Sequence, residues 1–254
     1  MNWILETKNL TIGYAGQPLI SGIDFRLGTN DICCVLGANG AGKSTFLRTL
    51  LGTQAKLHGE IFFANQPLVT YSPQQLAQQI AYVPQAHQSL FPFTVEEMVL
   101  MGRSAYLKWY QSPSHKDKQL AFNALEQLHI VHLAQRYYPQ LSGGEKQLVL
   151  IARAIAQQAK MLIMDEPTSS LDFGNQIRLL NQIKRLHQQN MALLITTHHP
   201  QHADYLADSV VILDKQHQPA FQQGKKAAML TLHQLAKTYR IDTASLAQHL
   251  PFKE

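Results

Sequence analysis

Three short stretches carry residues whose types and spacing could act on phosphate. The first is Gly37-Ala38-Asn39-Gly40-Ala41-Gly42-Lys43-Ser44, followed by Thr45. It fits the pattern G-x-x-x-x-G-K-[ST] in full. Glycines let such a loop curl until successive backbone N–H groups converge on phosphate oxygens. Lys43 would neutralise the outer phosphates, and the Ser44 hydroxyl would reach Mg2+. The second stretch is "MLIMDEP", a buried strand ending in Asp165, and open α/β sheets bind ligands at such a tip. Asp165 suits a metal held largely through water. Glu166, turned away from it by strand alternation, suits a base or orienter for an attacking water. The plainer reading of this stretch is a charged strand end running into Pro167. The third stretch is "QLSGGEKQLVLIARA", Gln140 to Ala154, a Ser-Gly-Gly turn entering an apolar-periodic helix. It is a second anion seat about a hundred residues after the first. The plainer reading makes Ser142 an N-cap with Glu145 following, and capping and ligand binding are compatible.

The elements around these residues imply a parallel α/β core. "DICCVLG" is a short, nearly continuous apolar run, as a strand buried on both faces requires, and the helix pattern "KSTFLRTLLG" follows it. Similar runs recur at "MLIMDEP", "ALLITTHH" and "SVVILDK". Strands alternating with helices predict a parallel sheet. Ahead of them, residues 5–27 alternate and are broken by "GYAGQP", which predicts antiparallel strands. Between Ala86 and Lys160 the pattern is mostly helical, with "TVEEMVLMGR" and "AFNALEQLHI" reading as an inserted helical subdomain. From Met229 to Leu250 the periodicity predicts a helical terminal appendage.

The chain has 254 residues, 45% hydrophobic and 15% charged, enough for a buried core. Cys33 and Cys34 are neighbours in a strand and face opposite ways, so they read as buried thiols in a reducing compartment rather than a disulfide. No basic start precedes a long apolar run, and no window approaches the ~18 apolar residues of a membrane span, so a soluble protein without a signal peptide is expected. The net charge of +5 is compatible with nucleic acid, an anionic membrane surface or neither. Its scatter, without a dense basic run, argues against nucleic acid. The twelve histidines suggest no ligand spacing set on a helix, so metal binding by protein side chains alone is the weaker reading.

Taken in order, the motifs resemble the ATP-binding subunit of an ABC transporter over nearly the whole chain. The phosphate loop spans Gly37 to Thr45, "VPQ" with Gln85 matches the glutamine loop, and "LSGGEKQ" at Leu141 to Gln147 matches the signature. Asp165 and Glu166 end the metal strand, "SSLD" at Ser169 to Asp172 matches the following loop, and "TTHH" supplies a switch histidine at His198. The resemblance implies an α/β P-loop NTPase fold: a RecA-like parallel core with an N-terminal antiparallel β subdomain. Residues 1–86 and 159–254 would form the core, and residues 87–158 an inserted helical subdomain carrying the signature, all within one ABC ATPase domain.

The resemblance further implies ATP and Mg2+ as ligands, with the metal near Ser44, Gln85 and Asp165. Tyr14, in "IGYAG", occupies the place of an aromatic that stacks on adenine; a tyrosine packing its own strand is the alternative. Two subunits would pair head to tail, with Ser142, Gly143, Gly144 and Glu145 of one facing the nucleotide held by the other's Lys43. Asp172 would reach across that interface, or simply cap the helix beginning "FGNQIRLL". Glu166, His198 and Gln85 would be catalytic. Two positions depart from the pattern: His199 stands where an acidic residue is usual, and Ser170 where alanine is commoner.

"FTVEEMVLMGRSAY" and "LDFGNQ" resemble importer subunits for iron chelates, haem, cobalamin and metal oxyanions such as molybdate. The implied partners are integral membrane permease subunits with a substrate-binding protein upstream, placing this subunit at the cytoplasmic face of the inner membrane. The rival expectation is a soluble assembly or repair ATPase with no membrane partner. Repair members carry long coiled coils, and this chain has none.

Overall fold

The computed structural model describes residues 3–85, 91–216 and 218–250. In chain order come β1 (Trp3–Tyr14), β2 (Gln17–Ile23), β3 (Arg26–Gly28), β4 (Ile32–Leu36), α1 (Lys43–Leu50), β5 (His58–Phe63) and β6 (Gln66–Pro67). Next are α2 (Pro73–Gln79), β7 (Ile80–Val83), α3 (Val95–Leu100), α4 (His115–Gln127), α5 (Gly143–Ala156), β8 (Met161–Asp165) and α6 (Phe173–His187). Then follow β9 (Ala192–Thr196), α7 (Pro200–Leu206), β10 (Ser209–Leu213), β11 (Phe221–Lys225), α8 (Lys226–Met229), α9 (Leu232–Tyr239) and α10 (Thr243–His249). They group into two compact units, one up to Thr70 and from Ala192 onward, the other from Tyr71 to Met191.

The first unit holds two kinds of sheet. Strand β1 is long and carries β2, β3 and β5 antiparallel along its length, as its alternation predicts. Its inward residues Leu5, Leu10 and Ile12 are fully buried. Strand β4 is buried at every position and pairs parallel with β9 on one side and β10 on the other. This is why its sequence shows no alternation: neither face meets water. Each Ile, Leu or Val sealed there contributes about 2 kcal/mol. Cys33 and Cys34 are free and fully buried within this strand. Burial pushes the Cys33 thiol up to about 12 and the Cys34 thiol well above its usual range. Strand β11, not foreseen from the sequence, adds antiparallel beside β10. The tail from Met229 forms helices as predicted, and Leu232, Leu235 and Ala236 are buried in it.

The second unit is a helical cluster beside the parallel pair β7–β8. Helices α3, α4 and α5 pack on one another through Val95, Val99, Ala121, Leu125, Val149 and Ile151. At their junction lies a polar knot. Arg103 is buried, its Nε 3.0 Å from Asp117 Oδ1, and its Nη1 donates to the carbonyls of Ala156 at 3.0 Å and Gln157 at 3.2 Å. One guanidinium therefore satisfies carbonyls at the C-terminus of α5 and pairs with the N-terminal carboxylate of α4, which complements both helix ends. Asp117 also accepts from the Ser114 hydroxyl at 2.6 Å. Those bonds, Ser114 first and Arg103 second, hold its carboxyl down to about 2. Helix α2 precedes β7 where helical structure was expected only from Ala86. It buries no residue and is held by a Ser72–Gln75 capping box.

Candidate functional site

The phosphate loop joins β4 to α1, as its mechanism requires. Helix α1 starts differently from the five helices that follow it, and although α7 and α8 also lack a side-chain cap, they begin on His199 and Lys225 rather than on a glycine. Helices α2 to α6 each have a side chain capping the first turn. Helix α1 has Gly42 at its N-cap, no side-chain cap and no acid in its first turn. Its leading N–H groups and positive dipole end are thus left to an external anion. Gly42 has φ 103°, and a Cβ there would meet Leu19 Cδ2 at 2.8 Å; at Gly37 a Cβ would meet the Leu213 carbonyl oxygen at 2.5 Å. Both positions exclude a side chain, which keeps the loop backbone bare at these two points. Lys43 is buried, and its Nζ donates to the carbonyls of Gly37 at 2.9 Å and Ala38 at 3.3 Å. The ammonium is therefore folded into the concavity of the loop. Ser44 is half-buried, Thr45 buried, and Asn39 and Gly40 exposed.

Tyr14, at the end of β1, belongs to this cluster through an unforeseen bond. Its hydroxyl and that of Thr45 share a hydrogen bond of 2.7 Å, while the residue stays 51% exposed. The tether fixes the ring beside the loop yet leaves it open to a flat partner. His198 follows β9, is exposed, and its ring centroid lies 4.0 Å from that of His199. His199 in turn lies 4.6 Å from His202, forming a run of imidazoles. Burial first, then His199 and His198, push His202 down to about 4, so it is neutral at neutral pH. The place where an acid was expected is thus filled by an imidazole that packs, and the backbone N–H of His199 donates to Thr197 Oγ1 at 3.1 Å. His198 and His202 are four apart, but only His202 lies within helix α7, so they are not a pair set on one helix.

In the second unit Asp165 ends β8 and is buried. Strand alternation does not extend to Glu166, contrary to expectation. Glu166 has φ 47°, a left-handed conformation costing about 1 kcal/mol. Its carbonyl accepts the Ser169 N–H at 3.1 Å and the Ser169 hydroxyl at 3.0 Å. The tight turn, rather than the pleat, sets Glu166 apart from Asp165. Gln85 is exposed just after β7, and the residues that follow it, 86–90, lie outside the described residues.

The Ser-Gly-Gly turn caps α5 as anticipated. The Ser142 hydroxyl accepts from the Glu145 N–H at 3.3 Å, and Glu145 Oε2 accepts from the Ser142 N–H at 2.8 Å. That backbone bond lowers the Glu145 carboxyl. Asp172 caps α6, accepting from the Asn175 N–H at 2.9 Å, which holds its carboxyl below the usual range. The two capped turns come together: Ser142, Gly143, Gly144 and Glu145 line one cleft of about 750 Å³ with Ser170 and Asp172. The signature and the loop after the metal strand, read separately in the sequence, form a single surface.

A bare glycine loop between a buried parallel strand and an uncapped helix, with a buried carboxylate at another strand tip, defines a P-loop NTPase of the α/β class. Residues 20–169 match the family model described as ABC transporter. An uncharacterized ABC transporter ATP-binding protein of Haemophilus influenzae is 64% identical, over 97% of this chain and 93% of its own. The molybdate import ATP-binding protein MolC of the same organism is 38% identical, over 95% and 90%. Among solved structures, an inward-facing ABC transporter assigned provisionally to the metal-chelate type matches at TM-score 0.83 and 38% identity, over 94% of this chain and 90% of that one. The chain belongs to the ABC transporter family, as an ATP-binding subunit.

Proposed function

We propose that this subunit hydrolyses ATP to power import of a metal chelate, haem, cobalamin or metal oxyanion through a membrane permease. The observation carrying the enzymatic part is helix α1, whose uncapped N-terminus and glycine-rich loop fit a polyphosphate. Residues 37–45 hold the phosphates, and Lys43 exchanges its loop carbonyls for phosphate oxygens. Tyr14 stacks on adenine. Ser44, Gln85 and Asp165 supply hard oxygen donors, which suit Mg2+. When bound, the metal neutralises charge on the β- and γ-phosphates. Glu166 orients and deprotonates the attacking water, and His198 donates a hydrogen bond at the γ-phosphate.

Each nucleotide lies between two copies. Ser142, Gly143 and Gly144 of one copy meet the triphosphate on Lys43 of the other, and Asp172 crosses the interface. ATP binding closes the pair, and hydrolysis opens it. The cleft shared by the signature and Asp172 supports this reading because Gly143 and Gly144, which carry no side chain, line it beside Ser142, Ser170 and Asp172. The subunit sits peripherally on the permease at the cytoplasmic membrane face, with a substrate-binding protein upstream. Residues 87–158 act as the helical subdomain of one ATPase domain. No helix among the described residues is long and apolar enough to cross a membrane.

The import reading rests on likeness to a molybdate import subunit and to a transporter assigned provisionally to the metal-chelate type. The discriminating experiment is twofold. Lys43→Ala should abolish nucleotide binding in titration calorimetry, and unchanged affinity would exclude the phosphate-loop assignment. Native purification should recover membrane permease subunits; a freely cytosolic subunit would favour an assembly ATPase.

A further inference from the structure

The tail beyond β11 was read as an appendage, but its helix α9 ends against the phosphate loop. Leu232, Leu235 and Ala236 bury one side of α9, and Gln234 Nε2 donates to Gln222 Oε1 of β11 at 3.2 Å. The helix stops at Arg240, whose left-handed backbone (φ 57°) closes the last turn with the Ile241 N–H donating to the Ala236 carbonyl at 3.1 Å. This fixed end places Thr238, Tyr239 and Arg240 along a cavity of about 190 Å³. The cavity is further lined by Ala38, Asn39 and Ala41 of the phosphate loop and by Asp214, Lys215 and Gln216. Two contacts stand out. The Tyr239 hydroxyl donates a long bond of 3.5 Å to the carbonyl of His198. Arg240 Nη2 donates to Gln216 Oε1, next to Lys215, and Lys215 Nζ lies 4.0 Å from where a Cβ on Gly40 would stand.

We propose that the end of α9 completes the nucleotide site: Tyr239 is a positioning residue for the switch loop, and Arg240 with Lys215 makes the phosphate loop's outer wall cationic. The Tyr239 part rests on the assignment of His198 to the γ-phosphate. The argument is one of leverage. His198 is exposed and sits between the end of β9 and α7, so its position depends on what holds its backbone. Its carbonyl accepts a bond of 3.5 Å from the Tyr239 hydroxyl at the end of α9. The two cations outnumber the single carboxylate of Asp214 in this lining, so beside the exposed Asn39–Gly40 tip they raise the local potential for a polyphosphate. The two devices act on different steps. Tyr239 affects turnover, and Arg240 affects binding.

The test uses the full-length chain in steady-state hydrolysis of Mg2+-ATP, beside hydrogen exchange of the amides at residues 197–199. Tyr239→Phe, which removes one hydroxyl, should lower kcat about 3- to 10-fold, leave KM for ATP within 2-fold, and speed exchange at 197–199 several-fold. Arg240→Gln should raise KM about 3-fold with kcat unchanged. A merely structural role would lower the thermal midpoint and move both constants together. His198→Ala, run alongside, separates the possible failures. If it stops hydrolysis while Tyr239→Phe keeps normal kcat and exchange, the tail proposal falls and the switch assignment stands. If His198→Ala turns over normally, both the switch assignment and the Tyr239 proposal fall. Unchanged KM in Arg240→Gln removes the cationic wall.

Discussion

At the scale of single residues, the account turns on groups held by neighbours far away in sequence. Tyr14 is the clearest case. Its hydroxyl is tied to Thr45 while its ring stays open, and base stacking on such a ring contributes about 1–2 kcal/mol. Tyr14→Ala should therefore weaken ATP binding roughly 5- to 30-fold in calorimetry; unchanged affinity would mean that the ring merely packs on its strand. The sequence could nominate Tyr14 from its place in "IGYAG", but not the bond that orients it. The same limit applies to Glu166: its identity was legible in "MLIMDEP", whereas its left-handed backbone belongs to a turn in which Ser169 donates to the Glu166 carbonyl. Asp117 and Arg103 went unnoticed altogether. Each is an ordinary surface residue by type, and only folding brings them together across fourteen positions in a buried pair. Removing one partner of such a pair leaves a buried charge unmatched, at about 3 kcal/mol. Asp117→Asn should thus lower unfolding free energy by about 3 kcal/mol at pH 7 in urea titrations. The folded carboxyl titrates near 2, below its unfolded value. Its stabilisation is complete above about pH 4 and lost as pH falls through 2, so the gap between wild type and variant should close over that window. A constant gap would show that the carboxylate charge is not what matters.

At the scale of elements, function follows from how helices begin. Helix α1 opens on bare glycine and can receive phosphate, whereas α5 opens on a capping box that already satisfies Ser142 and Glu145. Both were legible because a loop motif and a cap are local, written in residues within a few positions of each other. Buried strands were equally plain, since the runs "ICCVL" and "ALLI" leave no polar residue to alternate. Helix α2 and strand β11 were not legible. The first buries nothing, so it has no apolar stripe, and the second is a polar edge strand whose only mark is its pairing with β10. Helix α5 offers a test that separates fold from function. A Cβ on Gly143 would meet Ser170 Cβ at 3.6 Å, an ordinary contact, and a carboxylate in the first turn complements the helix dipole. Gly143→Asp should keep or slightly raise the thermal midpoint and leave ATP affinity of the single chain within 2-fold. It should abolish nucleotide-driven pairing in light scattering by setting negative charge against the partner's phosphate. Normal pairing would count against the cross-subunit role of the signature.

At the scale of the whole molecule, the chain carries two anion-seating helix mouths in two units, and the account gives them to two different nucleotides. In the proposed pairing one copy would supply a phosphate loop and borrow a signature while its partner did the reverse, so that a two-fold pair would form two complete chambers. The resemblance of six motifs in order made the family readable from the sequence, and the phosphate loop and signature carried most of that weight. The cargo was not readable, for the physical reason that in this account it never touches this subunit. The measurement that bears most directly on the central claim is the mass of the Glu166→Gln chain with and without Mg2+-ATP, by size exclusion with light scattering. With hydrolysis stalled and binding intact, the account predicts a single chain of 28.6 kDa without nucleotide and a long-lived species of twice that mass with ATP, reverting when ADP replaces it. A nucleotide-loaded variant that stays a single chain at saturating ATP would contradict it.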